Sequence, residues 1–210
     1  MLKILIADDH PVFRRGLKQI ISEASDMVVA DEATDGWEAL SKVRAGGCDV
    51  VLLDITMPGK NGMDVLAHLK NERPTLPILI LSMHPEEQYA VRALRAGASG
   101  YLTKESTPDE LVAAIRKVSR GGKYVSSSLA ETLAFALQAK GEQPLHKTLS
   151  DREYQVMCMI ASGKTVAEIA IELSLSVKTI STYRSRILEK MKMKNNAELA
   201  RYATKNQLID

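Results

Sequence analysis

The sequence predicts an α/β fold, a doubly wound five-stranded parallel sheet, followed by a separate all-α domain of four helices. Three observations lead there. Short β-branched runs alternate with helical patterns through the first 120 residues. The runs are almost continuously apolar, as strands covered on both faces must be. After Gly121-Gly122 the alternation stops and only helical segments follow.

Taken in order, the strands are KILIAD (3–8), VVAD (28–31), VVLLD (50–54), PILILS (77–82) and GYLT (100–103). Each is a short β-branched run bounded by turn residues. Helical spacing occupies 12–24, 36–45, 62–72, 86–96 and 108–120 between and after them. Residues 126–139 predict one further helix, and KGEQPLHKT (140–148), polar with Gly and Pro, a linker. Helices then follow at 151–161, 166–173, 177–191 and 197–205. Ser150 with Glu153 forms a capping box, and Ser176 caps the third of these helices. The chain therefore divides into residues 1–122, a helix and linker at 123–148, and residues 149–210.

A composition 45% hydrophobic and 26% charged can build a real core. No run approaches the roughly 20 apolar residues a bilayer span requires, and the N-terminus enters strand-like sequence at once, so a cytoplasmic location without membrane contact is expected. Cys48 and Cys158 lack metal-ligand spacing and are expected as reduced thiols. Charge is divided unevenly. Residues 1–124 hold 16 Lys+Arg against 17 Asp+Glu, whereas 149–210 hold 10 against 7, and 178–194 hold six basic residues against one acid. The local excess points to a polyanionic partner.

In sheets of this kind ligands sit beyond the carboxyl ends of the strands. Strand one ends in Asp8-Asp9, strand three in Asp54 and strand four in Ser82, and Lys104 follows strand five. Taken alone, Asp8-Asp9 would cap the first helix, and Ser82 or Lys104 would be an ordinary surface residue. Jointly, they set three carboxylates, a hydroxyl and an ammonium on one rim. Crowded carboxylates raise one another's pKa unless a cation intervenes, and hard oxygen donors suit Mg²⁺. Asp9 and Asp54 are the ligand candidates, with the Thr56 backbone carbonyl a further one and Asp8 acting through water. A carboxylate is also a nucleophile that can form an aspartyl phosphate, with Lys104 and Ser82 placed to hold the phosphoryl oxygens.

The segments ADDHPVFRRGL, VVLLDITMPGKNGMDVL, ILILSMH and GASGYLTK resemble the flavodoxin-like receiver domain of bacterial two-component response regulators, over about residues 2–120. The resemblance implies an acidic pocket of Asp8, Asp9 and Asp54, with Asp54 the phosphoacceptor. It also implies phosphoryl binding by Ser82 and Lys104, and a switch aromatic at Tyr101. One departure is Met83, larger than the small residue many receivers place after the hydroxyl, from which slow autodephosphorylation is expected.

Within AEIAIELSLSVKTISTYRSRI (167–187), a helix, a short polar break at 174–176 and a second helix have helix-turn-helix spacing. On the second helix Ile180, Ile187, Leu188 and Met191 share a face. Lys178, Ser181, Thr182 and Ser185 are then free for base edges in a major groove, and Thr179, Tyr183, Arg184, Arg186 and Lys190 for phosphates. The whole segment from LSDREYQV to ELARYA resembles the LuxR-type DNA-binding domain of NarL/FixJ-type regulators. That family binds two half-sites as a dimer, which makes the last helix a further candidate contact, although Leu199, Tyr202 and Ala203 equally suit a core. Together the resemblances imply a transcription regulator that is phosphorylated on Asp54 by a sensor histidine kinase, dimerises, binds promoter DNA and performs no turnover chemistry. Two alternatives stay open at this point. One is an aspartyl-nucleophile phosphatase, although Thr56 stands where such enzymes place an acid. The other is an adaptor whose second domain has lost DNA.

Overall fold

The computed structural model describes residues 1–83, 86–126, 129–131, 144–206 and 208–209. They fall into two compact units, Met1–Leu137 and Gln138–Asp210.

In the first unit five strands, β1 (Leu2–Ala7), β2 (Met27–Ala33), β3 (Val50–Asp54), β4 (Ile78–Ser82) and β5 (Gly100–Thr103), form a parallel sheet in the order β2-β1-β3-β4-β5. Every residue of β3 and β4 is buried, which explains their uninterrupted apolar runs. The helices are α1 (Pro11–Glu23), α2 (Gly36–Ala45), α3 (Gly62–Glu72), α4 (Glu86–Arg95) and α5 (Pro108–Ser119). Ile4, Ile6, Leu52, Leu79 and Leu81 of the sheet pack with Leu17 and Ile21 of α1 and Leu111, Ile115 and Val118 of α5. β2 is longer than the sequence predicts. It runs on through Glu32 to Ala33, and as an edge strand it carries the polar pair Asp31-Glu32, which hid that continuation in the sequence.

Side chains set several helix starts. Asp35 accepts the Trp37 and Glu38 amides at α2, Asn61 accepts the Asp64 amide at α3, and Thr107 with Glu110 forms a capping box at α5. The helix predicted over 126–139 lies for the most part outside the described residues.

The second unit contains α6 (Asp151–Ala161), α7 (Val166–Glu172), α8 (Val177–Lys190) and α9 (Asn196–Lys205). Ser150 with Glu153, and Ser176, cap α6 and α8 as their sequence implies. Part of the expected linker is regular: Leu145–Thr148 form a 3₁₀ turn after Pro144. It is held by His146, whose Nδ1 lies 3.0 Å from the Tyr202 hydroxyl. Leu199 and Ala203 are fully buried, so the inner face of α9 belongs to the core. Cys48 is half-buried and Cys158 buried, both free thiols.

Candidate functional site

Strand order reverses between β1 and β3, and the charged residues gather at that switch point. Asp54 ends β3 and Asp8 follows the last residue of β1; both are 2% exposed. Lys104 follows β5. Its Nζ stands 2.6 Å from Asp8 Oδ2 and 2.7 Å from Asp54 Oδ2, and the side chain is only 3% exposed. One buried ammonium thus bridges two buried carboxylates, and the Phe13 ring lies against it with its centroid 4.7 Å from Nζ.

Backbone and second-layer contacts fix the carboxylates. Asp54 Oδ1 accepts the Thr56 amide at 3.2 Å, and Asp8 Oδ1 accepts the His10 amide at 2.7 Å. Arg14 Nη1 donates to the Asp8 carbonyl at 2.7 Å, and its Nε reaches Glu32 at 3.4 Å, which pins the turn after β1 to strand β2. Asp8 and Asp9 therefore do not cap α1. The N-cap is His10, and it makes no side-chain bond to the helix. The reason is positional: Asp8 is spent on the His10 amide and on Lys104.

Asp54 has its pKa pushed up to about 6. Burial is the main cause; Lys104 pulls the other way, and Asp8 adds a smaller rise. The group is still mostly ionised at neutral pH, the form in which a carboxylate can act as a nucleophile.

Ser82 closes β4, is fully buried, and pairs in register with Thr103, while its carbonyl accepts the Lys104 amide at 2.8 Å. Tyr101 is fully buried on β5 rather than presented on the rim. Met83, 68% exposed, lines a cleft of about 470 Å³ beside Lys104, together with Val12, Phe13, Pro108 and Leu111.

One residue of the cluster escaped the sequence reading. His10 Nδ1 lies 2.8 Å from Asp9 Oδ1, 3.4 Å from Asp8 Oδ1 and 4.0 Å from Asp54 Oδ2. Donor atoms of Asp8, Asp9, His10 and Asp54 all fall within 4.8 Å of one another, which is room for one shared cation. His10 gave no signal in the sequence beyond standing next to two aspartates. Three carboxylates converging here against the Lys104 ammonium, the one ammonium paired with them among the described residues, leave net negative charge that fits a divalent ion.

In the second unit α8 buries Ile180 and Ile187, with Leu188 half-buried, and Met191 at its C-cap is buried as well. Lys178, Ser181, Thr182, Ser185 and Arg186 are exposed, and Thr179, Tyr183 and Arg184 are partly so. Ser176, Lys178, Thr179, Thr182, Tyr183 and Arg186 line one shallow groove of about 290 Å³. Arg184 and Lys190 also have partners inside the unit. Arg184 Nε donates to Asn196 Oδ1 at 2.7 Å, and Lys190 Nζ to Glu153 Oε2 at 2.6 Å.

A receiver-type sheet with a carboxylate cluster at its switch point, joined to a helix-turn-helix unit, defines the DNA-binding response regulators of two-component systems. The chain belongs to that family: residues 4–116 match the response regulator receiver domain, and residues 147–203 the LuxR family of bacterial regulatory proteins. Similar full-length relatives include response regulator UvrY of Escherichia coli O6:H1, 36% identical over 212 residues spanning 100% of this chain and 97% of that protein. Oxygen regulatory protein NreC of Staphylococcus carnosus is 37% identical over 216 residues, covering 100% of both chains. Among solved structures, RcsB of Salmonella enterica serovar Typhimurium, bound to promoter rprA in the presence of phosphomimetic BeF3-, aligns at a TM-score of 0.67. That match is 26% identical and covers 97% of this chain and 98% of RcsB.

Proposed function

We propose that this chain is a phosphorylation-controlled transcription regulator whose phosphoacceptor is Asp54. The supporting observation is the buried bridge from Lys104 to Asp54 and Asp8 at the strand ends. A sensor histidine kinase is the donor. An Asp54 oxygen attacks phosphorus in line, the P–N bond of the phosphohistidine breaks, and a P–O bond to the carboxylate forms. Mg²⁺, when bound, would supply positive charge for the phosphoryl oxygens. Asp9, Asp54 and the Thr56 carbonyl would hold it, with Asp8 acting through water.

Lys104 then exchanges its bond to Asp54 for a phosphoryl oxygen, and Ser82 donates its hydroxyl to another. These contacts exist in only one state of the receiver, so phosphate shifts the population toward that state, and Tyr101 beneath the rim is the aromatic that registers the shift. The shifted receiver dimerises, and two copies of the second unit occupy two half-sites of promoter DNA in the cytoplasm. RcsB supports this reading, having been solved as two dimers bound to two parallel DNAs. In our chain Lys178, Ser181, Thr182 and Ser185 reach base edges, and Thr179, Tyr183, Arg186, Arg184 and Lys190 serve phosphates, the last two while tethered to the unit. No helix among the described residues is long and apolar enough to cross a membrane.

Phosphate is accepted once and lost slowly, without turnover, because Met83 flanks the approach to Ser82. Met83→Ala should shorten the lifetime of the phosphorylated protein severalfold. Incubation with acetyl phosphate and Mg²⁺ tests the acceptor itself: intact mass should show one phosphoryl adduct, absent from Asp54→Asn. Labelling of that variant at the wild-type level would refute the assignment.

A further inference from the structure

The imidazole of His10 is the feature of the acidic cluster that the phosphotransfer reading does not use. As N-cap of α1 it makes no side-chain bond to the helix. Its side chain instead turns back over the strand ends, placing Nδ1 within 2.8 to 4.0 Å of Asp9, Asp8 and Asp54 oxygens. The backbone fixes this direction, since the His10 amide is tied to Asp8 Oδ1 and the Asp8 carbonyl to Arg14.

We propose that His10 is a fourth donor to the divalent-cation site of the receiver, turning an all-oxygen site into a mixed nitrogen and oxygen one that favours Co²⁺ and Ni²⁺ over Mg²⁺. This rests on the cation reading of the pocket given above. The chemistry follows from donor softness. Carboxylate and carbonyl oxygens suit Mg²⁺, which gains little from a nitrogen ligand. Imidazole suits the borderline first-row ions, whose affinity for such sites rises along the series toward Ni²⁺. One donor atom from each of Asp8, Asp9, His10 and Asp54 already lies inside a 4.8 Å cluster, so closure around an ion asks only for small side-chain rotations. Ligation through Nδ1 uses the imidazole tautomer that carries its proton on Nε2, so the ring stays neutral and Nδ1 presents its lone pair to the metal.

The test is calorimetric titration of the untagged full-length protein with Mg²⁺ alone and with Ni²⁺ alone, together with the visible absorption of the Co²⁺-loaded protein. His10→Ala and the milder His10→Asn should each weaken Ni²⁺ binding by about tenfold or more while leaving Mg²⁺ affinity within about twofold, the size expected for loss of one metal-orienting group. The Co²⁺ spectrum should change in both variants. If both keep wild-type Ni²⁺ affinity, or lose both ions equally, the role of His10 is wrong while the pocket stands. If the wild type binds neither ion, or Asp54→Asn binds both unchanged, the cation reading of the pocket falls with it.

Discussion

At the scale of single residues, the protein tolerates an energetic conflict at Asp54. Its folded-state pKa of about 6 lies above the ordinary 3.8, so ionised Asp54 opposes folding. The cost is absent below pH 3.8, grows between there and about pH 6, and is full above it. Each pKa unit corresponds to about 1.4 kcal/mol, so Asp54→Asn should stabilise the metal-free protein by on the order of 2 kcal/mol at pH 8. The gain should vanish toward pH 4, as read from denaturant unfolding in a chelator. A variant less stable than wild type at pH 8 would mean Lys104 outweighs burial. A strand that ends in a lone carboxylate at the lip of a core is legible in sequence, and so were Ser82 and Lys104 at other strand ends. His10 was not, because its involvement depends on which way the turn after β1 folds back. The buried position of Tyr101 was equally hidden, since strand alternation near an end does not say which face is covered.

At the scale of elements, close approach and ion pairing decide how the two sites are held. A Cβ at Gly62, the first residue of α3, would lie 1.9 Å from the Asp54 carbonyl oxygen, whose own residue carries the site. Gly62→Ala must push α3 from β3 and should cost about 2–3 kcal/mol, with weaker acetyl-phosphate labelling. A loss under about 0.5 kcal/mol would show that the loop yields freely. In the second unit, Glu153 accepts the Ser150 amide at 2.8 Å and Lys190 at 2.6 Å with its side chain 5% exposed. Burial disfavours its charge, but the bonds from Lys190 and Ser150 outweigh that and hold its carboxyl below the usual range. Its stabilisation is present above pH 4.5 and lost as pH falls through the lowered value. Glu153→Gln should therefore destabilise the second unit by about 1–2 kcal/mol at pH 7, and progressively less as the solution is acidified. An effect independent of pH would assign the loss to packing. Element ends were readable where a local cap stood out in the sequence, as at Ser150 and Ser176. The 3₁₀ turn at Leu145–Thr148 was not, because Tyr202, 56 residues away, holds it.

At the scale of the whole molecule, the chain joins a receiver unit with nearly balanced charge to a helix-turn-helix unit with a basic excess. In the sequence the division was expected across residues 123–148, where strand alternation ends ahead of the charge excess and helix-turn-helix spacing; the two compact units divide between Leu137 and Gln138. Binding by the second unit is expected to be salt-dependent. Lys178→Ala should weaken binding by about 1–3 kcal/mol and relax discrimination at the base pair it meets, while leaving acetyl-phosphate labelling intact. The central claim is that covalent modification at Asp54 alters how the basic unit meets duplex DNA. The most direct measurement is fluorescence anisotropy with a duplex selected on the phosphorylated protein, titrated with and without acetyl phosphate and Mg²⁺. The wild type should tighten by about tenfold on phosphorylation, within the usual range of coupling between sites, and Asp54→Asn should not respond. Equal affinity in the two wild-type titrations, or an Asp54→Asn protein that tightens as the wild type does, would contradict it.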